Sequence, residues 1–385
     1  MQSFDFYNPT HISFGEGKIA ELDKLVPQDA KVLVLFGGNS ARSTGTLDEV
    51  KTALKQREVV EFGGIEANPT YETLMQAVDV IKQQNIDFLL AVGGGSVIDG
   101  TKFVAAAALF EGEPWDILLN WGANVTQAMP FGSVLTLPAT GSEMNSGSVI
   151  TRKELKAKLA FMSDHVFPRF SVLDPSKTFT LPERQVANGV VDAFVHITEQ
   201  YLTFPVNAPV QDRFAEGLLQ TLVELGPKAL SEPQDYDVRA NLMWVATMAL
   251  NGLIGKGVPH DWATHMIGHE ITALYDVDHA RTLAMILPGL LDVRRQGKQE
   301  KLLQYASRVW GITQGSDDEI IDQVIEKTRQ FFEQMGIQTR LSDYGLDNSS
   351  IDTIVAQLEA HGMTALGEKQ DVDLAMSRKI LERNL

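Results

Sequence analysis

Cysteine is absent from this 385-residue chain, which excludes a disulfide framework, a thiolate nucleophile and any cysteine-based zinc site. Basic residues are in the minority: 33 Lys and Arg against 50 Asp and Glu leave a formal charge of −17. That balance argues against nucleic acid and anionic membrane surfaces as partners. It also requires any phosphate-bearing ligand to be held locally, by backbone N–H groups and a few well-placed cations. No apolar run reaches membrane length, and Met1–Phe6 carries no basic region followed by an apolar stretch. A soluble cytoplasmic protein is therefore expected. Low-complexity tracts, long charge blocks and internal repeats are missing too. With 44% hydrophobic residues, the chain reads as globular and long enough for two domains, each with its own core.

What is present changes character midway. Lys31–Phe36 is an apolar, β-branched run ending at Gly37-Gly38, Asp87–Val92 ends at Gly93-Gly94-Gly95, and Ser133–Pro138 runs into Ala139–Ser142. Continuous apolar strands, each followed by a polar or Gly-rich turn, indicate a mostly parallel sheet. Residues 70–84 read as an amphipathic helix capped by Thr70, with Glu72 in its first turn. Beyond about residue 180 the strand-like runs stop. Helical periodicity takes over at 182–202, 210–230, 236–252, 260–274, 281–292 and 316–335. The expected architecture is an α/β, Rossmann-like dinucleotide-binding domain over 1–180 and an all-α metal-binding domain over 181–385.

Four residues of the second half are spaced and typed as ligands of one metal: Asp192, His196, His265 and His279. Asp192 and His196 lie four apart in a helical stretch, so both side chains project from one face. His265 and His269 repeat that spacing, and three of the eight histidines fall between 265 and 279. One carboxylate with several imidazoles suits Fe(II) or Zn(II) and leaves a position open to a substrate oxygen.

In the first half, Gly93-Gly94-Gly95-Ser96 follows a strand and opens a helix. Its backbone N–H groups and helix dipole favour a pyrophosphate. The pattern matches neither G-x-G-x-x-G nor the P-loop. A second turn, Gly37-Gly38-Asn39-Ser40, ends another strand of the same sheet, where such sheets bind ligands. It holds no Asp or Glu and is followed by Arg42, which favours NADP(H) over NAD(H).

Taken together, these motifs resemble the iron-containing, group III alcohol dehydrogenases. The likeness covers Ile12–Gly15, the 37–40 turn, Asn68-Pro69-Thr70, Gly93–Asp99, Thr136–Glu143 and the Asp/His set. It looks closest to the bacterial NADPH-dependent, broad-range aldehyde reductases of the butanol-dehydrogenase-like branch, carried by Gln185–His196 and Asp343–Asp347. The resemblance implies Asp192, His196, His265 and His279 as metal ligands, with His269 beside the metal but not a ligand; a proton for the alkoxide is expected through water or through His269. For NADPH it implies Gly38 and Ser40 at the adenosine ribose phosphate, and Gly95, Ser96 and Asp99 around the pyrophosphate; Gly37, Asn39, Arg42, Asn68 and Gly94 are further expected cofactor contacts. Thr136, Thr140, Asn145 and Lys158 follow along the nicotinamide half. Asn39 stands where close relatives often have a third glycine, and His260 is an extra imidazole near the ligand segment.

The expected reaction is reversible hydride transfer between NADPH and a short aldehyde, with a divalent metal polarising the carbonyl. A homodimer is expected by analogy with the family. A metallohydrolase is disfavoured because His-Glu-x-x-His is absent: Glu270 is followed by Ile271, Thr272 and Ala273. A dehydroquinate-synthase-like or glycerol-dehydrogenase-like enzyme shares the architecture. The former should show a basic cluster for a sugar acid, whereas Phe194, Trp262 and Met266 make the metal segments apolar.

Overall fold

The computed structural model describes all 385 residues. Six parallel strands form one sheet in the order β1-β8-β5-β4-β2-β3. They are β1 His11–Phe14, β2 Lys31–Phe36, β3 Glu58–Phe62, β4 Phe88–Gly94, β5 Phe131–Leu137 and β8 Phe170–Leu173. An antiparallel hairpin, β6 Gly147–Arg152 and β7 Ala157–Met162, stands outside the sheet. Along β2, Leu33 and Leu35 enter the core on one face and Val32, Val34 and Phe36 the core on the other. Burial of both faces is why β2, β4 and β5 read as unbroken apolar runs. The sequence reading did not single out β1, β3 or β8. β1 and β3 are edge strands with polar residues interspersed, and β8 has only four residues.

Helix Tyr71–Gln84 starts as expected, with Thr70 Oγ1 accepting the Thr73 N–H. Helix Gly95–Ala107 follows β4 without a linker. Strands β2 and β4 are neighbours, so their two Gly-rich turns leave the same end of the sheet side by side.

The second half is helical: Glu183–Tyr201, Pro209–Ser231, Ala263–Tyr275, His279–Val293, Gln299–Trp310, Asp317–Gln334, Asn348–Ala360 and Leu374–Arg383. No helix is long and apolar enough to cross a membrane. Three expected boundaries shift, the helix expected over 236–252 ending at Ala249. The helix expected from 260 begins at Ala263, because Trp262 takes the left-handed conformation (φ 60°) and Asp261 Oδ1 accepts the Ala263 N–H at 3.0 Å. The helix expected from 281 begins at His279.

Compact units cut the chain less simply than 1–180 and 181–385. One comprises Tyr7–Leu181 and Pro233–Thr247, the other Met1–Phe6, Pro182–Glu232 and Met248–Leu385. Within helix Tyr236–Ala249, Met243 joins the α/β core and Thr247 Oγ1 donates to Glu143 at 2.5 Å. At the other end, Gln2 N–H donates to Gly257 O at 2.9 Å within the helical unit.

Candidate metal centre and nucleotide end

Helix Glu183–Tyr201 presents Asp192, His196 and Glu199 at i, i+4 and i+7, one face of the helix, and all three are buried. His265 and His269 lie one turn apart on helix Ala263–Tyr275, and His279 is the first residue of its helix. Asp278 immediately before it takes Arg184 Nε and Asn188 Nδ2, each at 2.8 Å, which ties His279 to the Asp192 helix.

Around Asp192 Oδ1 stand three imidazole nitrogens: Nε2 of His196 at 3.6 Å, of His279 at 3.7 Å and of His265 at 4.0 Å. Tetrahedral ligation at about 2.1 Å separates ligand atoms by roughly 3.4 Å, so these spacings suit one divalent cation. Ligand atoms of Asp192, His265 and His279 all lie within 4.8 Å of one another. Asp192 Oδ1 is buried and accepts no hydrogen bond. A buried carboxylate oxygen left that way is costly unless a cation satisfies it. Asp192, His265 and His279 thus converge in a way that fits a divalent metal, while His196, the fourth expected ligand, stands beside Asp192 but outside that group of three. His269 lies beside it, its ring 5.1 Å from that of His279 and edge-on to His265 at 6.2 Å.

Glu199 was not anticipated, although its i+7 offset from Asp192 was readable. Its Oε2 makes a short hydrogen bond with His265 Nδ1, and its Oε1 accepts the Thr264 N–H at 2.7 Å. A carboxylate on Nδ1 fixes the proton there and leaves Nε2 as the ligand atom. Burial, and after it the Asp261 charge, pushes the Glu199 carboxyl up to about 8; a cation at the imidazoles acts against that. Glu199→Gln is expected to weaken metal binding about 10–100-fold, measured by competition with a chelator. Affinity within twofold of the parent protein would assign Glu199 to packing alone.

One expected neighbour is elsewhere. Phe194 is packed against Phe331 and Phe332 in the helical core, because two residues on from Asp192 it faces the other side of the helix. Trp262 does stand at the centre, its ring edge-on to His265 at 5.4 Å and to His196 at 6.3 Å.

At the sheet end of the α/β unit the glycines have two different grounds. A Cβ on Gly93 would meet Val97 at 2.5 Å, and one on Gly95 would collide with Thr140. Both are glycine to make room for the protein's own side chains, whereas Gly38 has open space around it. Ser96 Oγ donates to Ala67 O in a short bond, and Lys158 Nζ reaches Asn68 Oδ1 at 3.1 Å. Hairpin strand β7 thereby delivers a buried lysine to the Asn68 segment. Asp99 sits differently from a phosphate contact: its carboxylate accepts Ser142 Oγ at 2.5 Å and Val149 N–H at 3.0 Å, tying helix Gly95–Ala107 to the segment bearing Thr140 and Asn145. Arg42 stacks on Phe36 at 4.9 Å and pairs with Glu61 at 2.5 Å. Thr136 lies near the carboxyl end of β5.

Lys102 was also missed, though a lysine in the apolar run Gly100–Ala107 is a visible signal. It is fully buried and donates to Asn145 Oδ1 at 2.8 Å and Gly147 O at 2.7 Å. Burial lowers its pKa to about 8, with Asp99 and Glu143 opposing. It orients the Asn145 amide, whose Nδ2 donates to Gly141 O at 2.9 Å.

A glycine-turned parallel sheet and a buried Asp/His cluster are features that fit a metalloenzyme with a nucleotide cofactor. The chain belongs to the iron-containing alcohol dehydrogenase family: the model of that name matches residues 9–175, and that of the Fe-containing alcohol dehydrogenase C-terminal region matches 186–379. It is 61% identical over 384 residues to the NADPH-dependent aldehyde reductase YqhD of Escherichia coli K12, covering 99% of both chains. A probable NADH-dependent butanol dehydrogenase of Bacillus subtilis is 42% identical, over 94% of this chain and 95% of that one. The crystal structure of E. coli YqhD superposes with a TM-score of 0.99 at 60% identity, over 100% of this chain and 99% of that one. NADH-dependent butanol dehydrogenase A of Thermotoga maritima gives 0.95 at 35% identity, with the same coverage.

Proposed function

We propose that this protein is a metal-dependent, NADPH-dependent reductase of short-chain aldehydes that also runs in reverse as an alcohol dehydrogenase. The observation that carries the reading is Asp192 Oδ1, buried, without a hydrogen bond and ringed by three imidazole nitrogens. The 61% identity to an NADPH-dependent aldehyde reductase supports the cofactor and the substrate class.

Asp192, His196, His265 and His279 would hold iron or zinc. When bound, the cation supplies Lewis acidity to the carbonyl oxygen and the nicotinamide supplies the hydride. The first N–H groups of helix Gly95–Ala107 receive the pyrophosphate, aided by the helix dipole. Lys158, held by Asn68, places a positive charge on the anionic cofactor, and Arg42 with Gly38 and Ser40 receives the 2′-phosphate. Thr136, Thr140 and Asn145 orient the nicotinamide half. His269 passes a proton to the alkoxide oxygen as the alcohol forms.

The test is loss of NADPH absorbance with a short aliphatic aldehyde and freshly metallated protein. Turnover should vanish with a chelator and be much slower with NADH. Lys158→Ala should raise KM for NADPH about tenfold, the loss of one charge-assisted hydrogen bond, and leave KM for the aldehyde within twofold. Equal rates with NADH would remove the cofactor assignment, and equal effects on both constants would remove Lys158 from the cofactor.

A further inference from the structure

The imidazole at His260 is neither a ligand nor idle. Its Nε2 faces Gly255 O at 2.7 Å, and its Nδ1 receives the indole N–H of Trp262 at 3.2 Å. Indole nitrogen can only donate and a carbonyl can only accept. These two partners therefore set the ring as Nε2–H with Nδ1 as acceptor, although one side of the residue is exposed. The anchor is firm. A Cβ on Gly255 would lie 2.5 Å from His260 Nε2 and 2.6 Å from Gln200 Oε1, so the close approach depends on glycine. The turn bearing Gly255 is pinned by Gln211 Nε2, which donates to Leu253 O at 2.7 Å and Lys256 O at 2.9 Å.

At the other end of this linkage is the indole, edge-on to the ligand imidazoles of His196 and His265. The indole thus sets a large apolar surface directly beside two of the imidazoles of the cation site. An aldehyde whose oxygen is directed to Asp192, His265 and His279 would carry its carbon chain past these imidazoles. We propose that Trp262 is the wall against which the aldehyde's carbon chain packs, and that His260 is the positioning residue that locks this wall and so sets chain-length selectivity. The inference rests on the aldehyde-reductase reading above. An aromatic face held in one orientation discriminates between chains by contact, and each methylene gained or lost against such a wall is worth about tenfold or more. An indole released from His260 changes rotamer and accommodates chains more evenly.

The test compares kcat/KM for butanal and octanal in the parent protein, His260→Ala, His260→Gln and Trp262→Phe, with metal content measured in each. His260→Ala should change the butanal-to-octanal ratio about tenfold at unchanged metal content. His260→Gln should restore the parent ratio, because its amide carries one acceptor for the indole and one donor for Gly255 O. In a Trp262→Phe background, His260→Ala should add nothing, since the hydrogen bond is already gone. A second readout needs no turnover. Cobalt(II) taken into the site should quench indole emission, and the part of the quench missing in Trp262→Phe should fall in His260→Ala and persist in His260→Gln. A ratio within twofold of the parent in His260→Ala, additive effects in the double variant, or an unaltered quench each overturn the proposal. A parent protein that binds cobalt but reduces neither aldehyde overturns the reductase reading, and the selectivity role falls with it.

Discussion

His265→Ala is expected to release the metal and to lower aldehyde turnover by at least about 10³-fold, equivalent to roughly 4 kcal/mol of transition-state stabilisation. The magnitude follows from what His265 does at once. Its Nε2 faces Asp192 Oδ1 at 4.0 Å among the other ligand nitrogens, and its Nδ1 is bonded to Glu199. Truncation removes an imidazole from the cation site and leaves Glu199 without the group it orients, so the site loses both at once. His269→Ala on the same helix makes the contrast. That ring lies beside His279 and outside the ligand set, so the variant should keep its metal and lose only the proton-transfer share, about 10²-fold. Metal content by elemental analysis, read beside kcat, separates the two. Metal retained in His265→Ala, or full rate in His269→Ala, would reverse the assignments.

Lys298→Met is expected to destabilise the protein by about 3–5 kcal/mol, the usual result of removing one partner from a buried ion pair. The Lys298 side chain is 1% exposed and its ammonium reaches Asp261 Oδ2 at 2.7 Å, Glu368 Oε1 at 2.8 Å and Leu202 O at 2.6 Å. All three of its donors are thereby engaged. The two carboxylates are equally enclosed, with side chains 3% and 1% exposed. Without the lysine they share a dry site with no counter-charge. The midpoint of denaturant unfolding should fall at an unchanged slope. A loss below about 1 kcal/mol would mean that water or a protonated carboxyl replaces the cation. Adding Asp261→Asn and Glu368→Gln should recover part of the loss, because no uncompensated charge is then left buried. Metal affinity should decline as well in Lys298→Met. Asp261 caps the helix of His265 and its N–H donates to Glu199 O at 2.9 Å, so the same clamp supports the cation site.

Much of this architecture was legible along the chain. The β2, β4 and β5 runs announced a sheet buried on both faces, the Thr70 cap marked a helix start, and the i, i+4 spacing of Asp192 and His196 placed two candidate ligands on one face. Edge strands β1 and β3 were not legible, because half-exposed strands carry mixed residues and no apolar run. The helical start at 260 failed for a related reason. A left-handed Trp262 is unfavourable for a side chain locally, and Asp261 holds the chain there by accepting the Ala263 N–H.

The sequence by itself determined which residues could carry the chemistry: one carboxylate and three imidazoles at ligand spacing, two Gly-rich turns after strands, and no cysteine to offer another route. Only the tertiary structure decided how those residues are held. Glu199 meets His265 across 66 positions, Lys298 meets Glu368 across 70, and Lys158 meets Asn68 across 90. Periodicity reports which side chains share a face of one element, since that depends on neighbours a few residues away. The partner of each face is set by how whole helices and strands pack, and that is a property of the fold as a unit.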